Sequence, residues 1–369
     1  MVRLTTNVLL RASIHNRNLI ILLVIFVLLF TLSLLFSRSN LNILNRNRIR
    51  EAKKCYQINE SINGIELFED ITEAVEQPDV NQAIFFHETS CTTNGIAHLH
   101  IRQAAAIEAA AKFNPKRQVF VTFLAPVGFK HDETLSPVMK ALHSYDNIKF
   151  RNINLKKYAA GTPIAEWMAT DELFLSEFLE EHTKILLKYL TMYKYGGTYI
   201  DMDIILQKSL DDVVFNCAVA ESRRIIGDAF LHFDIGNVGQ SISQNCLKQI
   251  IKTFDCTILH SMDGGVLAQV LDRICHVDDV ALMTADRCQG FTVLPPKTIV
   301  PVEWDRWQQL FEPTEADKIM ELVDGSIGVR LWDAQSSEFK VKKGGTPTAY
   351  GVIVGKSCPK IFNACSEFF

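Results

Sequence analysis

Between Leu19 and Phe36 the chain runs eighteen residues without a charge, and no other segment restricts its fold as strongly. At about 1.5 Å per helical residue this run spans roughly 27 Å, close to the hydrocarbon thickness of a bilayer. It has no polar face to turn toward water, so it does not read as a buried helix of a soluble domain. A cleavable signal peptide usually carries an apolar core of only about 7 to 15 residues that ends in small residues. Here Ser37, Arg38, Ser39 and Asn40 follow directly. The expectation is an uncleaved anchor and, with no second comparable run, a single pass through the membrane.

Which side holds the body is left open by the charges. Arg3, Arg11 and Arg17 precede the run, whereas Arg38, Arg46, Arg48, Arg50, Lys53 and Lys54 follow it. By the positive-inside rule the body is cytosolic. Against that stand nine cysteines, all after the run, and the glycosylation sequon Asn59-Glu60-Ser61. No Cys-x-x-Cys spacing points to zinc or a redox dithiol.

Net charge is −4, but nine basic residues against one Glu through Lys54 give +8 there and therefore −12 beyond. An acidic body excludes nucleic acid as the expected partner. Residues 37–80, rich in Asn, Arg and Glu without a sustained apolar period, read as a stem. Beyond it, short apolar runs alternate with helical stretches: strands at Ile84–Phe86, Val119–Leu124 and Ile148–Ile153, with helices at Ala104–Lys112 and near Leu135–Leu142. That alternation begins a parallel sheet. A longer amphipathic stretch, Leu173–Tyr193, stops at Gly196-Gly197, and Tyr199–Ile205 follows as a strand. Further strands are expected at Ala218–Ala220, Ala229–Phe233 and Phe291–Leu294. The organisation is thus a tail (1–18), an anchor (19–36), a stem (37–80) and one α/β domain (81–369).

Asp201 and Asp203 interrupt the apolar run Tyr199–Ile205, and residues two apart on a strand share a face. Two adjacent carboxylates repel unless a cation lies between them. A hard divalent ion, Mn²⁺ or Mg²⁺, takes such oxygens together with the phosphate oxygens of a substrate. The pattern therefore suits a nucleotide-diphosphate leaving group, with the double glycine before it giving the backbone a close approach to ligand.

Tyr195-Gly196-Gly197-Thr198-Tyr199-Ile200-Asp201-Met202-Asp203 resembles the Asp-x-Asp block of the α1,4-glycosyltransferases of glycosyltransferase family 32. Further blocks match in the same order: Ile84-Phe85-Phe86 with Glu88-Thr89-Ser90, Thr162-Pro163 with Trp167, Ala229-Phe230-Leu231, and Leu294-Pro295-Pro296 with Pro301, Trp304 and Trp307. The resemblance covers about Ile84 to Cys358. It implies a GT-A type fold, a Rossmann-like mixed sheet flanked by helices, behind a single N-terminal transmembrane helix. It also implies a single-pass type II protein of the Golgi membrane with a lumenal catalytic domain, using Mn²⁺ (or Mg²⁺) and a UDP-sugar with retention of configuration.

Carried over by position, the resemblance assigns Asp201 and Asp203 to the metal, and Glu88, Thr89, Ser90 and Asp201 to the nucleotide. Gly196, Gly197, Lys188, Asp228, Gly264, Gly265, Trp332 and Asp333 are sugar-site candidates. Asn59 is the glycosylation candidate, and Cys275 with Cys288 the disulfide candidate. The chain also departs from the family pattern. Ile185 and Lys188 stand where the family has an Asp and an Arg, Arg330-Leu331-Trp332-Asp333 replaces His-x-Trp-Asn, Gly227-Asp228 replaces Asn-Gly, and Gly264-Gly265 replaces Gly-Pro. The expected function is transfer of galactose or N-acetylgalactosamine from its UDP donor in α1,4 linkage to a terminal galactose-type sugar, on a glycosphingolipid ahead of a glycoprotein. The alternative suggested by the departures is a degenerate relative serving as a membrane-anchored binding partner.

Overall fold

A computed structural model describes residues 25–31, 43–56, 64–92, 94–130, 135–262, 265–277 and 279–369. Residues 25–31 are helical and exposed; the rest of the expected anchor, together with Asn59 and Gly264, lies outside the described residues. No helix among the described residues is long and apolar enough to cross a membrane. The chain divides into two compact units, Met1–Ala52 and Lys53–Phe369. The smaller holds the helical residues 25–31 and the start of a helix at 43–56, α1.

The larger unit carries strands β1 (Ile65–Leu67), β2 (Ile84–Glu88), β3 (Val119–Phe123), β4 (Gly128–Lys130), β5 (Ile148–Asn152), β6 (Gly197–Ile200), β7 (Ile204–Leu206), β8 (Cys217–Ala220), β9 (Ile226–Phe233), β10 (Thr292–Leu294) and β11 (Gly328–Arg330). Its helices are α2 (Ile101–Phe113), α3 (Pro137–His143), α4 (Leu155–Ala159), α5 (Ala165–Ala169), α6 (Leu179–Tyr195), α7 (Val238–Thr253), α8 (Val266–Cys275), α9 (Ala316–Val323), α10 (Asp333–Ser336), α11 (Ala349–Ser357) and α12 (Pro359–Ala364).

Seven strands form one mixed sheet in the order β10-β8-β9-β6-β2-β3-β5. All run parallel except β9, which is antiparallel to both β6 and β8. Every residue of β3 is buried, as expected of a central strand covered on both faces. At the edge, β5 alternates buried and half-buried residues. Helix α2 lies against the sheet through Ala104–Ala106 and Ala109–Ala111, all at most 1% exposed, because alanine lets a helix approach closely. A two-stranded antiparallel sheet, β7 with β11, stands apart and pairs Ile204 with Arg330.

Three expectations are corrected here. Residues 65–80, read as stem, belong to the folded unit: β1 pairs with β4, and Ile71 is fully buried. The stretch 173–193 is not one helix. A 3₁₀ turn at Glu172–Leu175 ends where Ser176 Oγ accepts the Phe178 N–H, and α6 starts at Leu179. Finally, 199–205 is not one strand. Asp201 N makes a bond to Ala229 O, the Asp201 carbonyl then accepts Ile204 N in a turn, and the chain passes to the second sheet, where Leu331 N donates to Asp203 O.

Candidate active site

Asp201 follows the last residue of β6 and Asp203 precedes β7, so the turn between the two sheets, not strand alternation, brings their carboxylates together. Alternation does act one step earlier. Tyr199 shares a face with Asp201, and its hydroxyl donates to Asp201 Oδ1 at 2.6 Å. Beneath it His87 stacks on the Tyr199 ring at 5.2 Å, its Nδ1 2.5 Å from Thr122 Oγ1 and its Nε2 3.0 Å from Thr191 Oγ1. Burial first, then the nearby Lys188, opposed by Asp201 and helped least by Lys184, lower the His87 imidazole to about 3, so it is neutral.

The cation that two adjacent carboxylates demand is part of the chain. Arg330, at the end of β11 opposite Ile204, donates from Nε to Asp203 Oδ2 at 3.2 Å and from Nη1 to Glu221 Oε1, while Nη2 lies 4.0 Å from Asp201 Oδ2. From α6, Lys184 Nζ reaches Asp201 Oδ1 at 3.3 Å. Burial would raise the Asp201 carboxyl, but Lys184, Lys188, Arg330 and the Tyr199 hydroxyl hold it well below the usual carboxylate range. Asp201 in turn raises the Lys184 ammonium. Asp203 Oδ1 is buried and meets no hydrogen-bond donor among the described residues.

One helical turn beyond Lys184, Lys188 is 4% exposed and pairs with Asp228 Oδ1 at 2.8 Å, its ammonium 5.4 Å from the Tyr199 ring centre. Trp332 is buried in a left-handed conformation (φ 58°); its indole N–H donates to Val302 O at 2.9 Å, and the Arg330 guanidinium lies 4.4 Å over its ring. Asp333 takes Arg102 Nη1 at 3.1 Å, and Arg102 is fixed further by Ser336 Oγ at 2.7 Å and the Phe339 carbonyl. Burial and the neighbouring Asp203 raise the Asp333 carboxyl in spite of Arg102. Beside Asp333 opens a cleft of 650 Å³, lined among others by Gln103, Phe339 and Phe368.

The remaining candidates are placed unevenly. Glu88, at the carboxyl end of β2, spends its oxygens on Ser90 N (2.9 Å) and Gln103 Nε2 (2.7 Å), and Thr89 O accepts the Tyr56 hydroxyl at 3.0 Å. Cys91 just after them is bridged to Cys55, a disulfide without a signal in the sequence, while the expected Cys275–Cys288 bridge is present. Gly196 and Gly197 are not at the site. Gly196 caps α6 and Gly197 opens β6, five and four residues before Asp201, the nearer of them about 13 Å away along a strand. A Cβ on Gly197 would sit 2.3 Å from Ala83 O and one on Gly196 would sit 2.4 Å from Asn81 Oδ1. Close backbone packing, not approach to a ligand, requires them. Gly265 caps α8 with φ 75°, and a Cβ there would sit 3.4 Å from Ala268 Cβ.

Lys184, Glu221 and Arg102 were missed in the sequence. Lys184 had a signal, the four-residue spacing from Lys188 that puts both on one helix face; Glu221 and Arg102 had none.

Two family models match. "Alpha 1,4-glycosyltransferase conserved region" covers residues 235–365, and "Glycosyltransferase sugar-binding region containing DXD motif" covers residues 101–220. Lys184, Asp201 and Asp203 fall in the second, Arg330 and Asp333 in the first. Lactosylceramide 4-alpha-galactosyltransferase of Rattus norvegicus is 27% identical over 260 residues, 69% of this chain and 68% of that protein. Its Homo sapiens counterpart is 26% identical over 257 residues, 69% of each. Alpha-1,4-N-acetylglucosaminyltransferase of Homo sapiens is 20% identical over 268 residues, 70% of this chain and 74% of that protein.

A DXD motif of this kind generally implies a divalent ion and a UDP-sugar donor. The donor set here does not fit the ion. Among the described residues no group of three His, Cys, Asp or Glu side chains converges to hold one. Placed across Asp201 and Asp203, an ion shares its oxygens with Arg330 and Lys184. At about 4 Å, each pair of like unit charges repels by roughly 4 kcal/mol at an effective dielectric of about 20.

Proposed function

From the premise that this chain is a hexosyltransferase of the α1,4-glycosyltransferase family, we propose that it moves galactose or N-acetylgalactosamine from a UDP donor to a terminal galactose-type sugar of a glycosphingolipid, forming an α1,4 bond. The observation that carries this is the Asp201–Asp203 turn at the carboxyl end of β6, in a seven-stranded mixed sheet, with cationic side chains gathered on it. The substrate class rests on the relatives, which are named for lactosylceramide and for α1,4 transfer. The degenerate alternative is not favoured, since those relatives are named as transferases.

In the step itself the bond from the donor's anomeric carbon to the β-phosphate oxygen breaks, and its electron pair leaves with UDP. An acceptor hydroxyl oxygen bonds to that carbon from the same face, and its proton passes to the departing diphosphate. The chain's part is to hold the diphosphate over Asp201, Asp203 and their cations, and to seat the acceptor in the cleft beside Asp333. Glu88, Thr89 and Ser90, at the carboxyl end of a parallel strand, are assigned to the nucleotide. Lys188 and Asp228, paired against Tyr199, are assigned to the donor sugar.

A type II orientation in the Golgi membrane, with Lys53–Phe369 in the lumen, completes the proposal. Two disulfides support an oxidising compartment, as does the Asn59 sequon. The test is transfer and hydrolysis of UDP-galactose and UDP-N-acetylgalactosamine by the purified chain with galactose-ended glycolipids, beside Asp203→Ala. Turnover lost in the variant is the expected result. Silence of the folded wild type with both donors and these acceptors would sink the assignment.

A further inference from the structure

We infer that the cation opposing the donor's diphosphate in this protein is Arg330, seconded by Lys184, so that donor binding and transfer need no divalent ion; the transfer half of this rests on the function proposed above. Arg330 is built in rather than hung on the surface. Its backbone N donates to Ile299 O at 2.9 Å, β11 pairs it with Ile204, and its guanidinium lies on Trp332, which is itself tied to Val302 O. That places it between the carboxylates of Asp201 and Asp203 and against Glu221. A guanidinium has five N–H donors and no lone pair, so it cannot ligate a metal but matches phosphate oxygens with a planar fork. Among the described residues, only Nε and one Nη1 proton are committed within hydrogen-bonding reach, to Asp203 and Glu221, which leaves the rest available to an anion.

The second cation is more open. The Lys184 side chain is 41% exposed, against 16% for Arg330, and among the described residues its one carboxylate contact, to Asp201, leaves donors free on its ammonium. The two motif carboxylates therefore act as positioning residues: Asp203 orients Arg330 and Asp201 orients Lys184. As the anomeric bond breaks, charge grows on the β-phosphate oxygen, and these N–H groups are the donors nearest the motif that can meet it. Lys188 is excluded from this role because it is 4% exposed and already bound to Asp228.

The experiment uses the full chain in detergent micelles. Transfer, hydrolysis and UDP affinity are measured in EDTA and in Mn²⁺, and the paramagnetic resonance signal of free Mn²⁺ is followed as protein is added, with and without UDP. Expected are equal rates and equal UDP affinity in both media, and a free Mn²⁺ signal that the wild type leaves undiminished. Arg330→His places an imidazole lone pair beside the two carboxylates. This variant is expected to lose roughly a hundredfold or more of its rate in EDTA, to bind Mn²⁺, and to regain rate with it. Overturning results are a wild type whose rate or UDP affinity collapses in EDTA and returns with Mn²⁺, or a wild type that depletes free Mn²⁺ while Asp203→Asn does not. A chain that transfers in neither medium refutes the proposed function instead; UDP affinity and the Mn²⁺ signal then still decide which cation serves the site. Should Arg330→His not fold, the wild-type measurements decide alone.

Discussion

Acid should unfold this protein partly through His87, a residue with no role in chemistry. His87 sits in the middle of the sheet, 4% exposed, bonded to Thr122 and Thr191 and stacked under the tyrosine that holds Asp201. Its imidazole falls from an ordinary 6.5 to about 3 because burial disfavours the charged ring and Lys188 adds repulsion. The unfolded chain takes up a proton near pH 6.5 and the folded chain refuses it until about 3. Stability is therefore full above pH 6.5 and is lost as pH falls toward 3, by about 1.4 kcal/mol per pH unit. Between pH 6.5 and 4.5 that is about 2 kcal/mol from this one group, because at pH 6.5 the unfolded imidazole is already half protonated. His87→Gln keeps a donor and an acceptor for the two threonines and cannot titrate. Other groups, among them His232, which burial lowers to about 4, change both proteins alike. Urea unfolding at the two pH values, followed by tryptophan fluorescence, gives the difference directly. The wild type should lose about 2 kcal/mol more than His87→Gln over the interval. Parallel losses in the two proteins would refute the claim that His87 is held neutral by burial.

Gly197→Ala puts a methyl 2.3 Å from a carbonyl already bonded to Thr198 N, at φ 80°, and should cost about 2–4 kcal/mol; an unchanged urea midpoint would show that the strand start can shift. Lys188→Met strands the Asp228 carboxylate. With Asp228 32% exposed the loss should be about 2 kcal/mol, below the usual 3–5 for buried pairs, and adding Asp228→Asn should restore part of it. A double-mutant cycle checks this, and additive losses would mean that the two side chains do not interact. Opening the Cys275–Cys288 bridge with serines releases a separation of 13 residues and should lower stability by about 3 kcal/mol. Calorimetry of the double serine variant reads it, and an unchanged transition temperature would argue against the bridge.

The strands of the main sheet were legible because their signal is local. Ile84–Phe86 and Val119–Val121 are continuous apolar runs, and that is what burial on both sheet faces demands. The helix end at Gly196 was legible for the same reason, since φ 61° with ψ −147° there is a conformation open essentially only to glycine. Where local patterns misled, a distant partner had intervened. The run 199–205 has the composition of one strand, yet Ala229 ends the ladder at Asp201 and Leu331 takes up the chain at Asp203. The stretch 65–80 lacks an apolar period, yet β1 finds its partner in β4.

By itself, then, the sequence determined an α/β body behind an apolar eighteen-residue run, a helix halted at a double glycine, and a pair of aspartates two residues apart. Each of these is written within a window of a few residues, where propensity, periodicity and backbone sterics act. Only the tertiary structure decided what faces the aspartates. Arg330 is 127 positions from Asp203 and 109 from Glu221, and no local pattern encodes such a meeting. It follows from the β7–β11 register, which sets Arg330 opposite Ile204, and from the stack on Trp332 that aims its guanidinium into the gap. The aspartates required a cation for electrostatic reasons visible in the sequence; the pairing of two short strands made that cation an arginine.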